Sequence, residues 1–278
     1  MQFGPEHRSD LPFYNRVMFP LLHKTAVRMA PRISEGQWYL LLRIFSFQAA
    51  FVAFALVCHR TVRSSARDTV LATTLLALAT VASFSFPWEE TSDAFDLLAV
   101  SIGVGVALAR RFWIALAVAI LFAANRESAA YLGAIWFVLN ATPKHWHRPL
   151  LAGAAISVIS TGATMLLRGF FGPALMMNWN TALQNLSIVA EAAKGFPLHW
   201  LGLLIAVCVL FLCNIGLQTT LTWRLLALSL IFGAAGLLFG LVNELRVFLA
   251  SFVMLAYAVA ASGTVVPDRQ SAPVAPLN

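Results

Sequence analysis

The sequence predicts an all-α protein, a polytopic bundle of transmembrane helices, and three observations support this fold class. The chain is 60% hydrophobic and 11% charged, whereas soluble proteins average about 45–50% apolar and about 25% charged residues. Its mean hydropathy is +0.78. Apolar stretches close to the roughly 20 residues that a helix needs to cross hydrocarbon recur along the chain. The length of 278 residues suits one helical bundle rather than two domains.

The chain divides into three predicted regions. Residues 1–36 hold five bases, three acids and four prolines but no long apolar run, so they form an outer or interfacial segment rather than a signal peptide. Residues 37–262 form the transmembrane helical domain, and residues 263–278 form a disordered tail rich in Pro, Ala and Val. About nine membrane segments are expected: 37–58, 69–87, 93–109, 112–124, 129–141, 149–167, 199–218, 225–241 and 247–262.

The fourth and fifth segments are short, because 13 residues at 1.5 Å per residue reach only about 20 Å. Asn125, Arg126 and Glu127 separate them, so either a turn joins two short helices or one long helix runs through residues 112–141. With a turn, strict alternation puts every basic connection on one side of the membrane: residues 59–68, 110–111, 142–148 and 219–224. Lys and Arg accumulate in cytoplasmic loops, so the charge pattern favours the short hairpin.

The same alternation places residues 1–36 outside, where their bases contradict that rule. A helix lying in the membrane interface would reconcile the two. After Pro20, the side chains of Leu22 and Met29 would share one face, and Lys24 and Arg28 would occupy the other.

Carboxylates precede and open the third segment on the predicted outer face. Glu89 and Glu90 come first, and Asp93 and Asp96 then share one face of the helix at a spacing of three. One interpretation is an acidic loop followed by residues that favour a helix N-terminus. The other is a carboxylate cluster that acts as a base or binds a cation.

Two further polar groups interrupt apolar runs on the same predicted face. They are Asn125, Arg126 and Glu127, and Asn243, Glu244 and Arg246. Intramembrane charges usually face a bundle interior or a wet cavity and mark function. Arg126 with Glu244, or Arg246 with Glu127, would neutralise each other, and the arginines could hold a phosphate. A structural ion-pair network explains the same pattern.

No cofactor or metal is predicted. His145 and His147 lack a nearby carboxylate or thiol, and the cysteines lie in apolar segments without CxxC spacing. The net charge of +7 is attributed to cytoplasmic loops rather than to nucleic-acid binding, because no basic run contains interleaved aromatic residues. Gly103 and Gly105 are predicted to pack helices closely.

Several stretches together resemble bacterial polytopic membrane proteins related to the C-superfamily (GT-C) glycosyltransferases. They are LPFYNRVMFPLL (11–22), LLRIFSF (41–47), SDAFDLLAV (92–100), ARRFWIALAVAILFAANRESAAYL (109–132) and NELRVFLASFVML (243–255). The resemblance implies that a sugar is transferred from a polyprenyl-phosphate donor at the outer, periplasmic face of the inner membrane. It implies an acidic catalytic base on the first outer loop, and Glu89, Glu90, Asp93 or Asp10 would supply this carboxylate here. It also implies a substrate-binding group, here Asn125, Arg126, Glu127, Glu244 and Arg246.

The sequence departs from that family at its beginning. Relatives usually start with a transmembrane helix followed by an acidic loop, and no apolar span precedes residue 37 here. The chain is therefore expected to lack the first helix or to be an inactive relative. A non-catalytic structural subunit and a transporter are the alternatives, although no inverted repeat supports transport. Membrane lipid and a polyprenyl-phosphate sugar are the expected partners, and nucleic acid is not.

Overall fold

The computed structural model describes residues 18–83, 92–125, 127–171, 199–216, 219–239 and 248–262. These residues form α-helices and contain no strand, which confirms the all-α fold class. The helices are α1 (Met18–Met29), α2 (Glu35–Val57), α3 (Ala66–Ser83), α4 (Ser92–Leu108), α5 (Phe112–Ala123), α6 (Tyr131–Asn140), α7 (His147–Phe171), α8 (His199–Leu212), α9 (Thr220–Phe239) and α10 (Leu249–Ser262). A π-helical turn, Cys58–Val62, extends α2, and a 3-10 turn, Glu127–Ala130, precedes α6.

Within the described residues, three helices are long and apolar enough to cross a membrane, which indicates an integral membrane protein. They are Glu35–Val62, His147–Leu167 and Thr220–Leu238. Each of the nine predicted segments coincides with a helix. However, α5, α6, α8 and α10 are shorter apolar helices, so the number of complete crossings stays a prediction.

Side-chain caps explain why two helices begin earlier than predicted. The Gln37 amide donates to Ser34 Oγ at 3.3 Å, and the Ser34 amide donates to Gln37 Oε1 at 3.0 Å. This reciprocal pair is a capping box, and it starts α2 at Glu35 instead of residue 37. At α3, the Asp68 amide donates to Ser65 Oγ at 3.1 Å, so that helix starts at Ala66 instead of residue 69.

Helix α10 lies at the centre of the bundle. Its side chains are buried around the whole circumference, as expected of a helix that is apolar on every face. It packs against α3, α4, α8, α9 and the π-helical turn. The Tyr257 hydroxyl donates to the Ser101 carbonyl at 3.1 Å, and the Tyr257 ring centroid lies 4.4 Å from that of Phe54. These contacts fix α10 against α4 and α2.

Glycines set the closest helix contacts. A Cβ atom on Gly133 of α6 would overlap the Gly153 carbonyl and the Ser157 hydroxyl of α7. A Cβ atom on Gly103 would overlap the Leu132 side chain, and one on Gly105 would come within 2.6 Å of Val57. The prediction that Gly103 and Gly105 pack helices is therefore confirmed.

The helix ends gather at two ends of the bundle. Val57 contacts Gly105, and the Asn140 amide donates to the Ala107 carbonyl at 3.0 Å, so the ends of α2, α4 and α6 lie together. Arg224 near the start of α9 reaches the same place. We call this the basic end, because the connections predicted to share one side of the membrane lie there. The opposite end holds the starts of α2 and α4 and the turn between α5 and α6, and we call it the hairpin end.

Helix α1 belongs to the hairpin end. The Met18 amide donates to the Ala124 carbonyl at 3.3 Å, and His23 Nε2 donates to the Glu35 carbonyl at 2.9 Å. Pro20 stands in the first turn, where a helix needs no amide hydrogen, so it does not interrupt the helix. Leu21 is 60% exposed and Met29 is 81% exposed. The position of residues 1–36 relative to a membrane stays a prediction.

Candidate functional site

The polar stretch between α5 and α6 forms a turn. Helix α5 ends at Ala123, Asn125 lies in the turn, and the 3-10 turn then leads into α6. The ring centroids of Phe112, at the start of α5, and Trp136, midway along α6, are 5.7 Å apart. The chain has therefore reversed direction. The predicted hairpin is confirmed, and a single helix over residues 112–141 is excluded.

This turn is built inside the bundle. The last carbonyls of a helix lack intrahelical donors, and leaving them without partners in an apolar medium is costly. The Met18 amide of α1 donates to the Ala124 carbonyl at 3.3 Å. The Thr164 hydroxyl of α7 lies 3.4 Å from the Ala123 carbonyl and 3.0 Å from the Ser160 carbonyl. Neighbouring helices thus supply the polar partners that water supplies in an exposed loop.

Asn125 joins the turn to the first two turns of α4. Its Nδ2 atom donates to Asp96 Oδ1 at 2.9 Å. Asn125 is wholly buried at 0% exposure, and Asp96 is half-buried. Asp93 lies one helical turn before Asp96 and is also 0% exposed. The structure therefore brings one predicted substrate-binding residue, Asn125, to the helix that carries a predicted catalytic residue, Asp93.

Apolar side chains surround this polar group. A separate buried cluster contains Phe95, Ala99, Phe122, Ala123 and Ala129, with Met18 and Leu42 packed against it. Ionisable groups inside apolar membrane bundles are rare and usually mark functional sites. Among the described residues, no group of three or more His, Cys, Asp or Glu side chains could hold a metal ion.

The other predicted site residues lie outside the described part of the chain. Glu89 and Glu90 fall in residues 84–91, and Glu244 and Arg246 fall in residues 240–247. Arg126 is likewise outside it. Glu127 opens the 3-10 turn, and its backbone alone is described. The pairings of Arg126 with Glu244 and of Arg246 with Glu127 stay predictions.

The sequence interpretation missed the helix that braces the turn. The Ser157 hydroxyl of α7 donates to the Ala130 carbonyl at 2.9 Å, next to the contact of Thr164. A signal was present, because Ser157, Ser160 and Thr164 are spaced by three and four residues, which places them on one helix face. A hydroxyl stripe on an apolar helix indicates a polar neighbour, although it does not say which one.

At the basic end, Arg224 caps the C-terminus of α6. Its Nη1 atom donates to the Leu139 carbonyl at 2.6 Å, and its Nη2 atom donates to the Ala141 carbonyl at 2.6 Å. The guanidinium fork thus satisfies two carbonyls at the C-terminus of α6, where a cation also suits the helix dipole. The charge of residues 219–224 predicts a cytoplasmic connection but does not indicate this structural role.

Comparisons with protein-family models, with curated proteins and with solved structures find no match for this chain.

Proposed function

We propose that this integral membrane protein is a glycosyltransferase-like protein that binds a polyprenyl-phosphate sugar at the hairpin end. The observation that carries the proposal is the wholly buried Asp93 one turn from the Asp96–Asn125 hydrogen bond. Ionisable side chains buried inside an apolar membrane bundle are rare and usually mark a functional site. The resemblance to GT-C enzymes supplies the reaction class.

In the proposed reaction, a carboxylate accepts a proton from the acceptor hydroxyl as that oxygen attacks the anomeric carbon of the sugar. The polyprenyl phosphate leaves with the bonding electrons. Asp93 is the described candidate for this base, and Glu89 and Glu90 are the predicted alternatives. Asn125 would hold a sugar hydroxyl or orient Asp96. Arg126 and Arg246 would bind the phosphate, and Glu244 and Glu127 would pair with these arginines.

Arg43 places a positive charge on α2, next to the helix that carries Asp93 and Asp96. Arg43 is half-buried on α2, two turns from the hairpin end, and α2 packs along α4. A guanidinium on this neighbouring helix could contact the donor phosphate, because arginine binds phosphate with two parallel hydrogen bonds.

The test uses the purified full-length chain with a radiolabelled polyprenyl-phosphate sugar and measures both binding and transfer. General base catalysis contributes typically about 10²–10⁴-fold, so Asp93→Asn should lower transfer by at least about 100-fold. Asp68→Asn is the matched control, since it removes a carboxylate from the basic end. Absence of both binding and transfer in the wild-type protein would overturn the proposal.

A non-catalytic structural subunit is the second candidate. Asn125 and Asp96 tie the turn to α4, and a purely structural bond does the same. On this alternative, Asp93→Asn and Asn125→Ala lower the melting temperature of the protein in detergent, and the wild-type chain neither binds nor transfers the labelled sugar.

A further inference from the structure

Tryptophans mark the basic end of the bundle. Among the described residues, the exposed tryptophans are Trp113, Trp146 and Trp223, at 70%, 43% and 56% exposure. Trp113 and Trp223 lie in the first turns of α5 and α9, and Trp146 lies in the connection that leads into α7. Tryptophan concentrates at the headgroup level of membranes, because its ring is apolar and its N–H group is polar. Exposed tryptophans at this end are typical of side chains at the headgroup level.

Exposed bases accompany the tryptophans. Arg110 and Arg111 precede Trp113, and Lys144 and Arg148 flank Trp146. Helices α5 and α7 pack against each other, so these two basic groups lie at the starts of neighbouring helices. Neither helix has an acidic residue in its first turn. Within the described residues of the basic end, Asp68 is the carboxylate, and it accepts a hydrogen bond from Ser65.

The backbone at Arg110 adds a separate observation. Helix α4 ends with the Arg110 amide donating to the Ala107 carbonyl and the Arg111 amide donating to the Val106 carbonyl. This is a Schellman motif, and its left-handed position usually holds glycine. Here Arg110 occupies it with a φ of 57°. The chain thus presents a guanidinium at a turn where glycine would suit the backbone better.

We propose that Arg110, Arg111, Lys144 and Arg148, with Trp113 and Trp146, form a binding surface for the headgroups of anionic phospholipids. The positive charge complements the phosphate-bearing headgroup, and the tryptophans sit at the depth where that headgroup lies. A nucleic acid fits less well, because the cations lie at the starts of α5 and α7, whose outer faces are apolar. Ile114 and Leu151 on these faces are 50% and 71% exposed. This surface is separate from the proposed sugar site at the hairpin end.

The test measures lipid retention by native mass spectrometry of the full-length protein in detergent. Phosphatidylglycerol and phosphatidylcholine are added at equal concentration. The wild-type chain should retain phosphatidylglycerol preferentially, and raised salt should weaken that preference. The variant Arg110→Gly/Arg148→Gln should lower the preference at least about fivefold, since one base near an anionic surface changes affinity roughly fivefold. Arg110→Gly removes the charge at a backbone position that glycine adopts freely.

The control is Lys24→Gln/Arg28→Gln, which removes the same charge from exposed positions of α1 at the hairpin end. This variant should keep the preference. Equal retention of the two lipids by the wild-type protein, or the same loss in both double variants, would overturn the proposal. If the first variant does not fold, Arg111→Gln and Lys144→Gln are measured singly. Each should lower the preference, and wild-type values in both would equally overturn it.

Discussion

At each end of the bundle, the last carbonyls of a helix require hydrogen-bond donors, and the two ends supply chemically different donors. At the hairpin end, the last carbonyls of α5 are contacted by the Met18 amide and the Thr164 hydroxyl, both uncharged donors. At the basic end, the last carbonyls of α6 are contacted by the Arg224 guanidinium. Arg224 is half-buried, whereas Asn125 in the hairpin turn is wholly buried. The charged donor is used where its side chain still reaches the surface.

The exposure of acidic and basic side chains also differs between the two ends. Asp93 at the hairpin end is 0% exposed, whereas Arg110, Arg111, Lys144 and Arg148 at the basic end are exposed. A hidden carboxylate costs free energy and suits a site that must exclude water. An exposed cation costs little and suits contact with lipid headgroups. This contrast is the reason for assigning a chemical role to one end and a lipid-binding role to the other.

The largest expected effect comes from the glycine that allows α7 to approach the hairpin. Gly133→Ala puts a methyl group against the Gly153 carbonyl, a backbone atom that cannot move by rotating a side chain. We expect a loss of about 3 kcal/mol in the free energy of unfolding, at the upper end of typical overpacking costs. Chemical unfolding in detergent measures it.

The matched control for this substitution is Gly162→Ala in the same helix pair. A Cβ atom on Gly162 of α7 meets no heavy atom within 4 Å. This variant should change the unfolding free energy by less than about 1 kcal/mol, in the stabilising direction, because alanine favours helix. Equal losses in the two variants would show that the close crossing of α6 and α7 does not hold the hairpin end.

The next effect tests the basic end. Arg224→Gln cannot reproduce the guanidinium fork and removes the charged donor from both the Leu139 and the Ala141 carbonyl. We expect a loss of about 2 kcal/mol in the free energy of unfolding, since hydrogen bonds to charged groups contribute roughly 1.5–3 kcal/mol. The same detergent unfolding assay is used. Arg67→Gln, at an exposed position of the same end, should stay within about 0.5 kcal/mol of the wild-type value.

These contacts show where sequence reasoning works and where it stops. The turn at Asn125 was predictable, because loop charges and segment lengths are local properties that the sequence displays directly. Its hydrogen bond to Asp96 was not, because nothing local states which helix packs beside the turn. The same holds for Arg224, because its two carbonyl partners lie more than 80 residues away in the sequence. Helix positions follow from hydropathy, but helix neighbours require the packing that Gly133 and Gly153 permit.

The smallest expected effect separates a contact between helices from one within a helix. Ser157→Ala removes the hydroxyl that donates from α7 to the Ala130 carbonyl at 2.9 Å. We expect a loss of about 1 kcal/mol in the free energy of unfolding, the usual net contribution of a hydrogen bond. Ser46→Ala is the matched control, because the Ser46 hydroxyl donates to the Leu42 carbonyl of its own helix at 2.7 Å. A hydroxyl that bonds back to its own helix adds little stability, so this variant should remain near the wild-type value. A loss as large in Ser46→Ala as in Ser157→Ala would mean that the hairpin end is held by packing at the glycine crossing and that its neutral hydrogen bonds contribute no specific bracing.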